Sequence, residues 1–305
     1  MLLLIKYTLL YTVVMMLVAL GGMFSERSGI INIALEGIMV IGGLVGVLVS
    51  AALEGLSPVL QVGLAILMSG IAGTIYASLL AFASINLKAD QTIGGTALNI
   101  LATAIAMVVA KIVNGSQSAK LEYVNTAYLF NIGPVTVNVF LFVGIGLLLL
   151  SYLILYKTRL GLRLRACGEH PQAADSVGIN VHKMRYTGVF ISGFLGGIGG
   201  FAYIVPAVQN WNFEVGVAGM GFLALAVMIF GQWKPFRIFF AAIFFSIFKS
   251  MANIADSIPF LARLGWPKEI YNMMPFIASM VVLSLTSKKS RAPKAEGIPY
   301  DKGQR

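Results

Sequence analysis

The chain has 305 residues, of which 58% are hydrophobic and only 11% are charged. Soluble domains carry about 25% charged residues, so this composition excludes an ordinary soluble enzyme. It predicts an all-α, multi-pass protein of the inner (plasma) membrane, in contact with lipid. The net charge of +10 comes from basic residues in short segments between apolar runs. That pattern is typical of cytoplasmic loops and argues against a nucleic-acid partner.

Apolar runs of membrane-spanning length follow one another along most of the chain. A spanning helix needs about 20 apolar residues, and about nine runs (roughly eight to ten) approach this length. They cover residues 2–23, 33–53, 58–85, 96–113, 137–156, 186–205, 215–231, 236–253 and 271–285. We therefore expect one transmembrane domain over residues 1–286 and a polar cytoplasmic tail over residues 287–305.

The first apolar run is expected to be a retained span. It lacks a multi-charged leader and a small-residue cleavage site before Ser25, so a signal peptide is disfavoured. The following segment, 25–37, leaves two alternatives. If the chain simply crosses, alternation of the spans places the N-terminus outside. If the segment dips into the membrane and returns, the parity of the topology changes.

Asn32, Glu36 and Asn99 are the candidate substrate-path residues. Polar groups at membrane depth are costly and usually face the bundle interior or a cavity. Amides and a carboxylate suit a neutral ligand rich in hydroxyl groups. Asn32 and Glu36 are four residues apart, so a continuous helix would place them on one face. The alternative is structural: Asn32 bonds between helices or starts one, and Glu36 occupies a helix N-terminus.

Basic residues set the expected orientation. They are most concentrated in segment 157–185, which we place in the cytoplasm. Alternation then puts 86–95, 233–237 and the tail on the same side. The outer loops are 114–136, 207–214 and 254–269, and the apolar patch at 128–134 is expected either to lie at the interface or to form a small outer helix.

The cytoplasmic segment contains a short helix with clear boundaries. Pro171 suits a first helical position, and Gly178 suits the left-handed residue that ends a helix. About two turns are not stable alone in water, so this helix must dock on the bundle or on a partner. Cys167 and the two histidines nearby have no metal-ligand spacing, and we expect no metal and no other cofactor.

Small residues recur at helical spacing in several of the runs. They can pack helices closely within the membrane, where lipid removes the hydrophobic drive, or they can mark faces that slide. The sets are Ser192, Gly196 and Gly200; Gly193 and Gly197; Gly42 and Gly46; and Gly73 and Ala77. A lone cation late in its run, Lys249, either reaches toward the outer interface or pairs with an acid such as Glu36 or Asp256.

Several separated motifs resemble those of one transporter family. Gln172-Ala-Ala-x-x-x-Gly178 looks like the Glu-Ala-Ala-x-x-x-Gly loop of ABC importer permeases, with Gln in place of Glu. Four further segments are similar to one branch of these permeases, the simple sugar and nucleoside branch. This branch is the ribose-type permease family, which is related to the branched-chain amino acid permeases. The segments are the run from Gly161 to Ala174, Ser192-Gly-Phe-Leu-Gly-Gly, the stretch 24–37 and the ending 295–300.

This resemblance implies a permease subunit that moves a nucleoside or a simple sugar. A cytoplasmic ABC ATPase subunit would dock on the cytoplasmic segment 157–185, which would be the coupling loop. A second, related permease subunit (or a second copy of this chain) and an extracytoplasmic substrate-binding lipoprotein complete the importer. The expected ATPase-coupling residues are Gly168, Glu169, Gln172, Ala173, Ala174 and Gly178.

The motifs that are missing bear on the energy source. The chain has no Gly-x-x-x-x-Gly-Lys-Ser/Thr phosphate loop and no catalytic constellation, so we expect no enzyme activity in this chain, and any ATP hydrolysis must occur in a partner chain. Two alternatives remain open. One is a secondary transporter of small solutes, a class whose folds often use repeats and midplane acids. The other is a non-conducting structural subunit of a membrane complex.

Overall fold

The computed structural model describes residues 2–132, 135–206, 209–255, 263, 267–286 and 292–303. Helices dominate this part of the chain, and their order follows the nine apolar runs, with two extra helices inserted after the fifth. They are α1 (Leu2–Arg27), α2 (Leu35–Ala52), α3 (Pro58–Ala81), α4 (Gln91–Asn114), α5 (Phe140–Lys157), α6 (Arg159–Glu169), α7 (Pro171–Ser176), α8 (Val181–Ile204), α9 (Met220–Phe230), α10 (Pro235–Asn253) and α11 (Lys268–Thr286).

Seven of these helices are long and apolar enough to cross a membrane, and two more, Met220–Phe230 and Ile270–Val281, are shorter apolar helices. The expected all-α, multi-pass bundle of about nine membrane helices is therefore confirmed. Hydropathy located the helices because each one presents an apolar surface to lipid or to its neighbours.

Four short strands lie outside the helices. β1 (Lys120–Glu122) pairs antiparallel with β4 (Asn210–Asn212), which joins two loops predicted to be outer. β2 (Leu129–Ile132) pairs antiparallel with β3 (Val135–Asn138). The small outer helix considered for 128–134 is wrong, because β-branched residues on both sides of the turn favour a hairpin; residues 133–134 lie outside the described part.

The predicted cytoplasmic segments gather at one end of the bundle, called the cytoplasmic end below. Arg27, at the end of α1, lies 3.6 Å from the Glu169 carboxylate at the end of α6. Its guanidinium also donates to the carbonyl of Trp233, between α9 and α10, at 3.3 Å. Lys6, near the start of α1, lies at the other end beside the β2–β3 hairpin. The N-terminus therefore lies at the end of the bundle opposite the predicted cytoplasmic segments, as alternation of nine spans predicts; its position on the outer side stays a prediction.

Helix α8 is the most enclosed span and packs against α1, α2 and α3. A Cβ placed on Gly193 would lie 2.6 Å from the carbonyl oxygen of Gly73, and one on Gly200 would overlap the carbonyl oxygen of Met39. The small residues thus bring helix backbones into direct contact. Tight packing is the alternative that the structure supports, and sliding of these faces stays a prediction.

A non-helical segment, 28–34, separates α1 from α2. Helix α1 ends before Gly29, whose φ of +99° is the left-handed conformation that terminates helices. Asn32 then donates to the hydroxyl of Ser192 at 2.8 Å, and Ser192 is the twelfth of the 24 residues of α8. The segment therefore climbs from the cytoplasmic end to the middle of the bundle, where α2 begins and continues outward. It does not dip and return.

A second interruption precedes α9. After the single turn Phe213–Val215, the chain passes through left-handed backbone at Gly216, Ala218 and Gly219, and α9 starts only at Met220. The continuous helix expected over 215–231 is therefore too long at its start. With 11 residues, about 16 Å at 1.5 Å per residue, α9 crosses only about half a membrane.

Candidate functional sites: coupling helices and broken helices

The segment predicted to be cytoplasmic, 157–185, contains two helices before α8, and each has a clear start. The hydroxyl of Thr158 accepts from the Gly161 amide at 3.2 Å and starts α6. Pro171 starts α7, and Gly178, with a φ of +82°, follows its end. The short helix predicted between Pro171 and Gly178 is confirmed. Local chemistry sufficed here because both boundaries depend on backbone preferences of single residues.

The six predicted coupling residues divide into two groups. Gln172, Ala173 and Gly178 are exposed at the cytoplasmic end, and nearby Val177 is an apolar side chain with 74% of its surface exposed. These residues form what we call the coupling surface. An exposed apolar side chain in a short helix is suited to contact with a partner.

The other three coupling residues face inward or toward α1. Ala174 is 3% exposed. A Cβ on Gly168 would overlap the carbonyl of Arg27, so α6 touches the end of α1 directly. Glu169 forms the ion pair with Arg27. They attach α6 and α7 to the bundle beside the end of α1.

Cys167, on α6, is a buried thiol. Burial raises its pKa to about 11, with Arg185 opposing part of the rise. A thiol that stays protonated at neutral pH is a poor nucleophile and a poor metal ligand. It therefore serves as a packing residue of the coupling helices.

Residues of the polar tail fold back onto the same end. The amide of Ala295 donates to the carbonyl of Gly168 at 2.8 Å, and the amide of Gly297 donates to the carbonyl of Gly29 at 3.2 Å. Lys88 and Asp301 form an exposed ion pair at 2.9 Å, and the hydrogen bond from Lys88 lowers the pKa of Asp301. Residues 292–303, called the tail below, thus contact several cytoplasmic elements.

Glu296 makes the seating of the tail sensitive to pH. Burial raises its pKa, although its hydrogen bond with Glu26 and the charge of Arg27 oppose part of the rise. The seated tail therefore binds the proton more tightly than a free tail does. By linkage, seating is strongest at low pH and weakens as the pH rises from the ordinary glutamate pKa through the raised one.

We expect Glu296→Gln to remove this pH dependence and to seat the tail more firmly at neutral pH. The measurement is the rate of tryptic cleavage after Lys294, from about pH 6 to about pH 8.5, divided by the rate for a free peptide of the same sequence. In the unaltered chain this ratio should rise with pH, because the glutamate must ionise in a buried site. Glu122→Gln, at an exposed glutamate on β1, is the matched control. If the cleavage ratio rises equally with pH in the unaltered chain, in Glu296→Gln and in Glu122→Gln, the prediction is wrong.

The three predicted path residues surround the break at 28–34. Asn99, on α4, accepts from the Gly37 amide at 2.8 Å and donates to the carbonyl of Ile33 at 2.9 Å. Asn32 is fully buried, and its Oδ1 has no hydrogen-bond partner among the described residues. Irregular backbone at membrane depth needs such internal partners. Asn32 and Asn99 therefore meet at the same break from different elements.

Glu36 lies in the first turn of α2 and reaches the start of α9. Its two carboxylate oxygens accept from the amides of Gly219 at 2.8 Å and Gly221 at 2.6 Å. A carboxylate at a helix N-terminus meets unpaired N–H groups and the positive end of the helix dipole. The expectation that Asn32 and Glu36 share a helix face is wrong, because Asn32 precedes α2 and lies in the non-helical segment.

Lys249, on α10, is only 9% exposed and interacts electrostatically with Glu36. Of the two alternatives for this residue, the structure supports the interior partner over an extended outward position. Asp256, the other acid considered, lies outside the described residues. Glu36 therefore joins three elements: α2, the start of α9 and α10.

Sequence reasoning missed one residue that shapes the break. The side-chain oxygen of Gln91 accepts from the Ile31 amide at 2.7 Å. Gln91 is the first residue of α4, after Asp90, whose carboxylate caps that helix through the Thr92 and Ile93 amides. The cap marks the helix start in the sequence, but no local signal shows that Gln91 faces the non-helical segment 28–34.

Broken helices inside a multi-pass bundle are typical of membrane transport proteins. The chain belongs to the family described as "Branched-chain amino acid transport system / permease component", which matches residues 4–283. The resemblance noted from its motifs is thereby confirmed, and the protein is a multi-pass membrane permease.

Curated relatives agree with this assignment over nearly the full length. The chain is 38% identical to the guanosine ABC transporter permease protein NupQ of Bacillus subtilis, covering 98% of this chain and 96% of the relative. It is 37% identical to the nucleoside ABC transporter permease protein NupC of Lactococcus lactis, covering 97% and 96%. It is also 29% identical to NupB, a nucleoside ABC transporter permease protein of the same L. lactis strain, over 56% of this chain and 46% of that protein. No solved structure matches the chain.

Proposed function

We propose that this chain is the permease subunit of an ABC importer that moves nucleosides into the cell. The observation that carries the proposal is its similarity, over nearly its whole length, to permease proteins named for nucleoside or guanosine transport. The exposed coupling surface at the basic end supports the same function, because a permease without its own phosphate loop needs a separate ATPase to dock there.

The proposed assembly contains four kinds of component. A cytoplasmic ABC ATPase docks on the coupling surface, and a substrate-binding lipoprotein delivers the nucleoside from outside. A second permease completes the path. The similarity of this chain to both NupC and NupB, two nucleoside permease proteins of one strain, supports a related but different partner over a second copy.

We further propose that the nucleoside passes Asn32, Glu36 and Asn99. The buried Oδ1 of Asn32 without a partner is available to accept from a sugar hydroxyl. Glu36 and Asn99 bond to backbone amides beside the two helix breaks and so fix the position of each break. Half-helices that meet near the midplane are a recurring way to build a substrate site in transporters.

The coupling role predicts a specific loss of uptake. Ala173→Asp should lower nucleoside uptake at least about tenfold, because it places a charge on an exposed surface that a partner must cover. The measurement is uptake of labelled guanosine by cells that express the complete set of subunits, with permease abundance determined in parallel. Ala52→Asp, at an exposed alanine on the outer end of α2, is the matched control.

Two outcomes would contradict the proposed function. Full uptake by Ala173→Asp would remove the coupling surface from the mechanism. Failure of any ATPase subunit to copurify with the unaltered chain, or intact uptake in a strain that lacks the ATPase, would reject the importer. Uptake of ribose with no uptake of nucleosides would instead move the substrate to simple sugars.

A secondary transporter is the second candidate, because broken helices near the midplane are also typical of that class. The two are separated by energy source. Uptake by a secondary transporter collapses when an uncoupler removes the ion gradient while ATP is held constant. Uptake by the proposed importer continues under those conditions and stops when ATP is depleted.

A further inference from the structure

We propose that the tail, residues 292–303, is part of the coupling device, and that Tyr300 is a positioning residue that holds α7 in its ATPase-facing orientation. The inference rests on the proposed function, since it assigns a role in transmission between an ATPase and this permease. It concerns residues that lie apart from the coupling surface itself.

The first observation is the separate apolar core beneath the coupling helices. Its buried members are Cys167, Ala174, Val181, Met184 and Tyr300, and it is distinct from the main core of the bundle. Tyr300 is 6% exposed and is the largest of the five. The tail thus contributes a side chain to the same small core as Ala174 of α7. The Tyr300 ring lies 5.6 Å from that of His182, at the start of α8, and it lines one cleft with Asp175 and Gly178, in and just after α7.

The second observation is the shortness of α7. It has six residues, and a helix of that length is not stable without tertiary contacts. Its inward residue, Ala174, has a small side chain and depends on neighbours to fill the space below it. A buried tyrosine contributes about 150–250 Å² of contact area, so removal of Tyr300 leaves α7 poorly supported.

The third observation is where the tail is attached. The Ala295 amide bonds to the carbonyl of Gly168, on α6, and the Gly297 amide bonds to that of Gly29, at the start of the helix break. Gly29 is three residues before Asn32, a proposed path residue. Over a few residues the tail therefore connects the coupling helices to the break that leads into the bundle.

Arg185, on α8, lies beneath this junction. It is 1% exposed, and its Nε and Nη2 atoms have no hydrogen-bond partner among the described residues. Its guanidinium is close to Gly29, and Tyr300 and Cys167 interact with it electrostatically. A buried cation with unpaired donors is costly, and the Ala295 carbonyl of the tail lies on the same side of Gly29 as this guanidinium. Displacement of the tail would therefore change the surroundings of Arg185 as well as those of α7.

The proposed role of the tail explains how movement of the short helix α7 by the ATPase is transmitted to the helix break at 28–34. An ATPase that moves α7 acts on a unit made of α6, α7 and the tail, because Tyr300 and the Ala295–Gly168 bond join them. Without Tyr300, α7 can yield locally while the break at 28–34 stays in place. ATP hydrolysis then continues with less transport for each ATP.

The test uses the complete importer, with the ATPase, both permeases and the binding protein, in proteoliposomes. Tyr300→Ala is compared with Tyr300→Phe, which keeps the ring, and with Lys302→Ala, at an exposed tail residue. The readout is nucleoside transported for each ATP hydrolysed. A loss of folded protein lowers both quantities together and leaves this ratio unchanged, so the ratio separates positioning from simple instability.

We expect Tyr300→Ala to lower the ratio at least about fivefold while the ATPase still copurifies. Tyr300→Phe and Lys302→Ala should stay within about twofold of the unaltered complex. If Tyr300→Ala does not fold, Gly297→Val decides, because Gly297 has a φ of +75° that a β-branched residue disfavours, and it lies away from α7. A lowered ratio in Gly297→Val supports the proposal.

The proposal is overturned if Tyr300→Ala, or Gly297→Val in its place, keeps the unaltered ratio while trypsin cleaves faster after Lys294, which shows that the tail has been released. This result leaves the proposed function intact. Failure of the unaltered chain to bind an ATPase, by contrast, removes the proposed function, and this inference with it.

Discussion

Glu36→Ala should destabilise the bundle by about 1–3 kcal/mol for each of the two backbone amides that loses its acceptor. The change leaves the amides of Gly219 and Gly221 without their acceptor and leaves Lys249 without its counter-charge. Unpaired polar groups inside the bundle have no water to replace the lost bonds. The measurement is the amount of monodisperse protein that survives a temperature series in detergent.

Two comparisons isolate the cause. Glu122→Ala, at an exposed glutamate, should leave the survival curve unchanged. The double change Glu36→Ala with Lys249→Met should be less destabilising than the sum of the single changes, because removal of both charges leaves no unpaired ion. Survival of Glu36→Ala at the unaltered temperature would show that α9 does not need the carboxylate.

Gly200→Leu should prevent the bundle from assembling. A Cβ at this position overlaps the carbonyl of Met39, so α2 and α8 cannot keep their separation, and neither backbone can turn away without moving the whole helix. Overpacking usually costs about 1–3 kcal/mol, and a clash between two backbones lies at or above the upper end. The expected result is a loss of folded protein from the membrane fraction.

Gly63→Leu is the matched control for this change. Gly63 lies in α3, and a Cβ there meets nothing within 4 Å. The same substitution should therefore leave expression and elution unchanged. A folded, active Gly200→Leu protein would mean that α2 and α8 separate easily, and it would favour the alternative that these glycine faces slide during transport.

The broken helices show where sequence reasoning fell short. The run 215–231 is apolar throughout, yet its first residues are non-helical and α9 begins at Met220. Hydropathy indicates whether a segment prefers lipid or water, but it does not predict which groups accept hydrogen bonds from its backbone amides. Here the acceptor is Glu36, and it lies 183 residues away from Gly219.

The burial of part of the tail could not be predicted from composition either. The tail is polar, and its composition therefore predicts a solvated segment outside the transmembrane domain. Tyr300 is nevertheless buried, in the small core that also contains Ala174 and Met184. A single aromatic residue in a polar stretch is a weak signal, because its burial depends on a cavity that only the folded α6–α8 unit provides.

The sequence by itself determined the class of protein, the order of its apolar helices and the boundaries of α7. Each of these follows from local chemistry: apolar length and the backbone preferences of Pro171 and Gly178. Only the tertiary structure decided which polar groups meet. The Asn32–Ser192 bond joins residues 160 positions apart, and contacts of this kind are set by how helices pack, which no local pattern encodes.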